Sequence, residues 1–480
     1  MNMDLHLLAL LLLCLCRQGL TDLTTDAPGT PSPDTEVTTP SLKVEGSSEK
    51  MEEEDGEEEG GSCTAQQLSP EAKREMGAAI LKLGLQLLQN LKPEPERPNV
   101  IISPLSISLA LSQLALGAAN ETEQLLLQSL RADALPCYHK SLHSLLQHLR
   151  RTAVKIATRI YLRPVELELL AGLITEITKG GGKNSTSLRF EVKREFIQES
   201  LRTYDSEPVP LAGVEEINQW IEKATEGHMT DFLSSLPADL VVMLLNAVYF
   251  KGEWVARFDP SFTAKDRFYI DSKNIVYVDM MQGQRYPLSL LIDNELSAQV
   301  ARFPFKKNMS LLVVMPLSGE VNVSTLATKL NTSDLYARLP SEAAMHVKLP
   351  KFKLEYSQEL EEALTSIGLG CLFSAPNLSR IADGLLVVSS VQHKSSIELH
   401  EEGAVASAAT SVIISRSNPS FSVNQPFLFA LMDDATQTPI FLGVITNPDP
   451  GATAMQNDEP EKMSPPGLKH LDNVDSNPPK

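Results

Sequence analysis

Residues 401–417 read EEGAVASAATSVIISRS, and one guanidinium, Arg416, stands at the end of a run of small side chains. The planar fork of an arginine is suited to bidentate pairing with a carboxylate, which is the chemistry this position offers. From Ala404 the alternate positions are Ala404, Ala406, Ala408, Thr410, Val412 and Ile414. The interleaved Val405, Ser407, Ala409, Ser411, Ile413 and Ser415 carry more hydroxyls. That period of two is a strand pattern with one face better suited to burial. Ser417-Asn418-Pro419-Ser420 then reads as a turn, since Pro419 cannot donate to a β-ladder. The same segment therefore suits both a strand and an exposed loop. An ordinary edge strand ending in an arginine is the plainer reading of the pattern.

Other residues offer less chemistry. The chain has no Gly-X-Ser-X-Gly elbow, no His-Glu-X-X-His zinc helix and no phosphate loop. Gly180-Gly-Gly182-Lys183 approaches the last of these, but the upstream glycine is missing and Asn184 follows the lysine. His393 and His400 lie seven apart near Glu398, Glu401 and Glu402, and read as polar histidines at a loop base rather than metal ligands. Neither an enzyme nor a cofactor is expected.

The elements that must position Arg416 follow from the rest of the chain. Its 480 residues are 42% hydrophobic, enough for a large core. A formal charge of −19 argues against nucleic acid and anionic lipid as partners. Leu7–Cys16 is an apolar run too short to span a bilayer, so residues 1–21 are read as a secretory signal peptide. Residues 22–68 are rich in Thr, Pro and acids, including EKMEEEDGEEE, and should be a solvated extension. Residues 449–480 are polar and Pro-rich, a second extension. Sequons at Asn120, Asn184, Asn308, Asn322, Asn331 and Asn377 agree with export. Cys63, Cys137 and Cys371 remain after the signal; one bridge, Cys63–Cys137, with a buried Cys371 thiol is the economical pairing, and spacing alone leaves the others open.

Between the extensions, helices are expected first, starting at Ser69-Pro70 and Ser103-Pro104 and continuing to about residue 178. The second of these, LSISLALSQLALGAA, has few charged positions and should be central. Strands dominate from residue 240. Leu240–Phe250 is a near-continuous apolar run suited to burial on both faces, and further strands are expected at 275–281, 309–315, 345–350, 352–355, 397–400, 427–431 and 440–444. Helices followed by strands define an α+β fold.

Several ordered motifs across residues 69–448 resemble the serpin family. They are Asn99-X-X-X-Ser103-Pro104-X-Ser106, Asn246-Ala-Val-Tyr-Phe250-Lys-Gly252-Glu-Trp254, and Leu349-Pro350-Lys351-Phe352. Glu401-Glu402-Gly403 with its Ala-rich sequel, Phe427, Phe441-Leu442-Gly443 and Asn447-Pro448 complete them. The resemblance implies a serpin fold with large mixed β-sheets, an exposed reactive-centre loop and a hinge running from Glu402 and Gly403 through Ile414. It also implies a suicide inhibitor of serine proteases. The family's usual spacing puts the cut after Ser417, yet a trypsin-like pocket selects arginine, so Arg416–Ser417 is the expected bond. Plasmin, trypsin or a similar protease is then the covalent partner, in plasma, with the inhibitor a monomer. C-terminal Lys480, with Lys462 and Lys469, would be a ligand for plasmin kringles. A non-inhibitory serpin acting in binding or signalling is the competing reading.

Overall fold

The computed structural model of the protein describes residues 69–135, 137–163, 191–237, 240–318, 323–402 and 419–457. Helix α1 (Pro70–Asn90) starts as its sequence demands: the Ser69 side chain accepts the Ala72 N–H, and Pro70 fills the first position. Ser103 caps α2 (Pro104–Gly117) in the same way through Ser106. Leu116 apart, α2 is buried on every side, which is why it carries no charge. Helices α3 (Asn120–Ser129), α4 (Tyr138–Leu149), α5 (Arg194–Tyr204) and α6 (Val214–Ala224) follow.

The expectation that helices continue to about residue 178 fails at β2 (Val154–Leu162), which is a strand. Val154, Ile156, Thr158 and Ile160 place a β-branched side chain at every second position, a pattern that favours a pleated surface. Residues 164–190 lie outside the described chain. Strands β3 (Val209–Pro210) and β4 (Val242–Lys251) come next, and β4 is buried along almost its whole length.

Two sheets organise the described residues. The larger takes β1 (Val100–Ile102), β5 (Ala264–Tyr269), β6 (Asn274–Asp293), β7 (Ala298–Phe305), β8 (Met309–Pro316) and β9 (Ala343–Pro350). It also takes β12 (Ser420–Ser422), β13 (Phe427–Asp433), β14 (Thr438–Ile445) and the short β15 (Met455–Gln456). Its order is β1-β14-β13-β8-β7-β6-β9-β12, with β5 and β15 also pairing β6. The long β6 bonds to β9 through its Met280–Leu288 portion and to β7 from Ser289 on, so one strand joins the two halves. Through β15 and the Asn457 N–H on the Lys273 carbonyl, the chain beyond Asn447-Pro448 stays on the body as far as residue 457.

The smaller sheet has the order β10-β11-β4-β2-β3, where β10 is Phe352–Glu359 and β11 is Val388–Leu399. Strand β4 divides its side chains between two cores. Val242, Leu244, Val248 and Phe250 join the main core, while Met243, Leu245, Ala247 and Tyr249 join a second cluster with Ile217 and Ile221 of α6. Burial on both faces is what its near-continuous apolar run anticipates.

Candidate functional site

In the smaller sheet β10–β11 and β4–β2 are antiparallel, but β11 and β4 run parallel, from Val388 opposite Val242 to Glu398 opposite Lys251. This seam joins two strands far apart in sequence, and β11 leads directly into residues 403–418. Parallel ladders are slightly weaker per residue than antiparallel ones. The seam is also polar inside. Asn246 of β4 faces His393 of β11 across it, both buried. Ser103 donates its backbone N–H to His393 Nε2 at 3.1 Å, so the imidazole proton sits on Nδ1, where no partner meets it. Asn246 Nδ2 and Ser396 Oγ are likewise buried without partners. Each such group costs about 1–3 kcal/mol of desolvation, so the joint is held less firmly than its length suggests.

Burial pushes the His393 imidazole down to about 3. Its folded value is below the unfolded one, so neutral His393 favours the native state above about pH 6.5, and that advantage is lost as pH falls toward 3. Unfolding free energy is therefore expected to drop by about 1 kcal/mol per pH unit more in the parent chain than in His393→Gln between pH 6.5 and 5, measured by urea denaturation. Parallel pH profiles for the two proteins would contradict it.

Two anchors bracket residues 403–418. On the N-terminal side, Trp254 stacks on Phe305 with centroids 4.0 Å apart and donates its indole N–H to the His400 carbonyl at 2.6 Å. Its backbone N–H goes to the Glu402 carbonyl, and that of Phe258 to Glu401. The Glu401 carboxylate accepts from Thr263 Oγ1 at 2.8 Å and pairs with Lys351 at 2.9 Å. Burial works to raise its pKa, but Lys351, its own backbone amide and Thr263 outweigh that and hold it below the usual carboxylate range. On the C-terminal side, His346 donates its N–H to the Pro419 carbonyl, and β12 pairs parallel with β9 while Phe421 is wholly buried. The segment thus starts on one sheet and ends on the other.

Of the expected site residues, Glu402 is described and exposed. Gly403, Ala404, Ala406, Ala408, Thr410, Val412, Ile414, Arg416 and Ser417 lie outside the described residues, as do Lys462, Lys469, Lys480, Cys63, Asn184 and Asn322. Asn120, Asn308 and Asn331 are exposed, and Asn377 is half-buried. The Cys371 thiol is half-buried too, not buried as expected, because its short helical turn Gly370–Phe373 turns only Leu372 into the core. His393 and His400 belong to separate settings, seam and anchor, and no metal-binding group of side chains occurs among the described residues. Sequence reasoning missed the seam itself. The polar stretch Ser389–Ser396 in a central strand is the signal that could have found it.

A family model described as "Serpin (serine protease inhibitor)" matches residues 78–448. The chain belongs to the serpin family, whose α+β fold it shares. It is 42% identical over 390 residues to alpha-2-antiplasmin of Bos taurus, covering 80% of this chain and 74% of that one. Against alpha-2-antiplasmin of Mus musculus the identity is 39% over 410 residues, covering 84% and 78%. Among solved structures, uncleaved ovalbumin matches with a TM-score of 0.67 at 25% identity, over 78% of this chain and 100% of its own. No helix among the described residues is long and apolar enough to cross a membrane.

Proposed function

We propose that the chain is a secreted suicide inhibitor of trypsin-like serine proteases, with plasmin as its main target, acting in the control of fibrinolysis. The observation that carries this reading is the parallel β4–β11 seam placed directly before the segment that ends in Arg416. A chain that turns back beside β11 runs antiparallel to it and, because β4 is parallel to β11, antiparallel to β4 as well. Insertion there would exchange one parallel ladder for two antiparallel ones. Burying Val412 and Ile414 would add about 1.5–3 kcal/mol each.

The protease serine attacks the Arg416 carbonyl and the Ser417 amine leaves, which gives an acyl-enzyme on Arg416. Residues 403–416 then enter the seam with the protease attached, and its distorted site no longer deacylates. Loop insertion of this kind in serpins is an established example of strand addition. Export is supported by the apolar leader and the sequons, of which Asn120, Asn308 and Asn331 are exposed. A Cys63–Cys137 bridge fits, since Cys137 is disulfide-bonded. The names of the bovine and mouse relatives support plasmin.

Incubation with plasmin and with trypsin, followed by a denaturing gel and mass mapping of the new terminus, tests the reading. A complex that survives denaturant, with the cut after Arg416, is expected; a nicked chain alone would favour a non-inhibitory serpin. The tail adds a tether: Lys480, assisted by Lys462 and Lys469, engages plasmin kringles and raises the local concentration of the inhibitor. Removing Lys480 is expected to slow capture of plasmin about tenfold while leaving capture of trypsin unchanged, read from progress curves. Equal slowing of both would refute the tether.

A further inference from the structure

A cavity of about 150 Å³ is walled by residues of α2, α4, β2 and α6, and none of its lining residues belongs to the seam strands or to the two anchors. Its floor is apolar, since Leu109, Leu146 and Leu149 are all buried. Trp220 of α6 forms one wall. That indole is held in place by the Arg159 guanidinium, 4.0 Å over its ring, and by Tyr161 edge-on to it. A wall braced in this way keeps the space open instead of collapsing into it.

Most polar side chains around the cavity are satisfied by the protein itself. The Thr158 hydroxyl donates to Asn246 Oδ1 at 3.4 Å, the Ser206 hydroxyl donates to the Thr158 carbonyl at 2.7 Å, and the Tyr204 hydroxyl lies 2.5 Å from His139 Nδ1. Gln113 is the exception. It is wholly buried, and its Nε2 donates to the Ser206 carbonyl at 2.7 Å. A carbonyl only accepts, so this bond fixes the orientation of the amide and leaves Oε1 as its other group. That Oε1 is buried with no hydrogen-bond partner among the described residues. At the exposed rim Arg150 pairs with Asp205 at 2.5 Å, so the mouth offers a balanced pair rather than a net charge.

We propose that this cavity binds an uncharged, single-ring aromatic molecule carrying one hydrogen-bond donor, a phenol in its simplest form. The hydroxyl donates to Gln113 Oε1, and the ring packs among the leucines beside Trp220. Size, polarity and charge each narrow the choice. An apolar cavity of about this volume holds a ring the size of benzene. A lone water needs about two to four polar partners, and the lining offers one free acceptor, so water fills the space poorly. A buried acceptor left unpaired carries a desolvation cost that a hydroxyl removes and a methyl does not. A charged ring would have to shed its water beside a rim already neutralised.

The chain has two tryptophans, Trp220 at the cavity and Trp254 in the N-terminal anchor. Fluorine-19 spectra of the full chain labelled with 5-fluorotryptophan therefore read the site and an internal reference together. Titration with phenol is expected to shift the Trp220 resonance along a saturable curve, with a Kd on the order of 1 mM or tighter, and to leave Trp254 unmoved. Toluene, of the same size but without the donor, should bind at least about threefold more weakly. Gln113→Met should remove that preference. Ala224→Leu, which adds bulk to the lining from a half-buried position in the last turn of α6, should weaken phenol at least about tenfold. Gln113→Met also takes the donor from the Ser206 carbonyl; should it fail to fold, Ala224→Leu tests the site by itself. The proposal is overturned by an unmoved Trp220 resonance, by a parallel shift of both resonances, or by equal binding of phenol and toluene to the parent chain. It is overturned equally by a folded Gln113→Met that keeps the preference, or by undiminished binding to Ala224→Leu. No protease enters the measurement, so its outcome is independent of the inhibitor reading.

Discussion

Thr410→Arg is expected to turn the inhibitor into a substrate: trypsin should still cut the chain, but the complex surviving denaturant should fall at least about tenfold. Thr410 belongs to the set Ala404, Ala406, Ala408, Thr410, Val412 and Ile414, the face suited to burial. A strand entering between β4 and β11 meets a core already filled on that side by Val248, Phe250 and Ile397. A guanidinium placed there has no carboxylate to pair with, and burying an unpaired charge costs several kcal/mol, comparable to everything that Val412 and Ile414 contribute together. Insertion would slow while hydrolysis of the acyl-enzyme would not. Ser411→Arg supplies the control, because the neighbouring position projects to the opposite face, whose residues carry more hydroxyls and are less suited to burial, so that a long side chain there can extend toward water. Equal complex yields from the two variants would mean that the segment does not enter the sheet with the alternation its sequence displays.

The same alternation logic explains what could be read beforehand and what could not. The caps of α1 and α2 were legible because a Ser followed by Pro is a local signal, complete within four residues. Strand β4 was legible because burial on both faces leaves a near-continuous apolar run, interrupted at Asn246. Strand β11 was expected only at residues 397–400 and extends over Val388–Leu399. Its middle, Ser390 and His393 to Ser396, is polar yet buried, so no local hydrophobic pattern marks it. The partners that make this tolerable are distant in sequence. Ser395 Oγ donates to the Ile101 carbonyl at 2.6 Å, and Lys394 Nζ reaches the Asp231 carbonyl at 2.8 Å. Nothing near residue 395 announces either contact. The conflict between local polarity and central burial is a property expected of a functional element rather than of a stable core strand. A seam stitched with unsatisfied polar groups is one that another strand can replace at little loss. The loop anchors were half legible: Glu401, Glu402 and Trp254 stood in recognisable motifs, but their union through Lys351, Thr263 and the His400 carbonyl required the fold.

Arg416→Glu is expected to abolish inhibition of plasmin and trypsin, lowering the association rate by about two to three orders of magnitude or more. A trypsin-like pocket presents a buried carboxylate, and removing its partner leaves that charge uncompensated at about 3–5 kcal/mol; a second carboxylate adds repulsion. Arg416→Lys should retain much of the rate, since an ammonium still neutralises the pocket although it loses the bidentate fork. The ordering Arg, then Lys, then Glu follows from charge and geometry alone, and it is independent of whether the seam opens. It therefore separates recognition from trapping: Thr410→Arg leaves the bait intact and disables the trap, while Arg416→Glu does the reverse. The pair of variants also decides the position of the cut. Were the bond after Ser417 the one attacked, Arg416 would sit one residue back from the pocket, a change to Glu would cost little, and Ser417→Arg would raise the rate instead of moving the cleavage site by one residue.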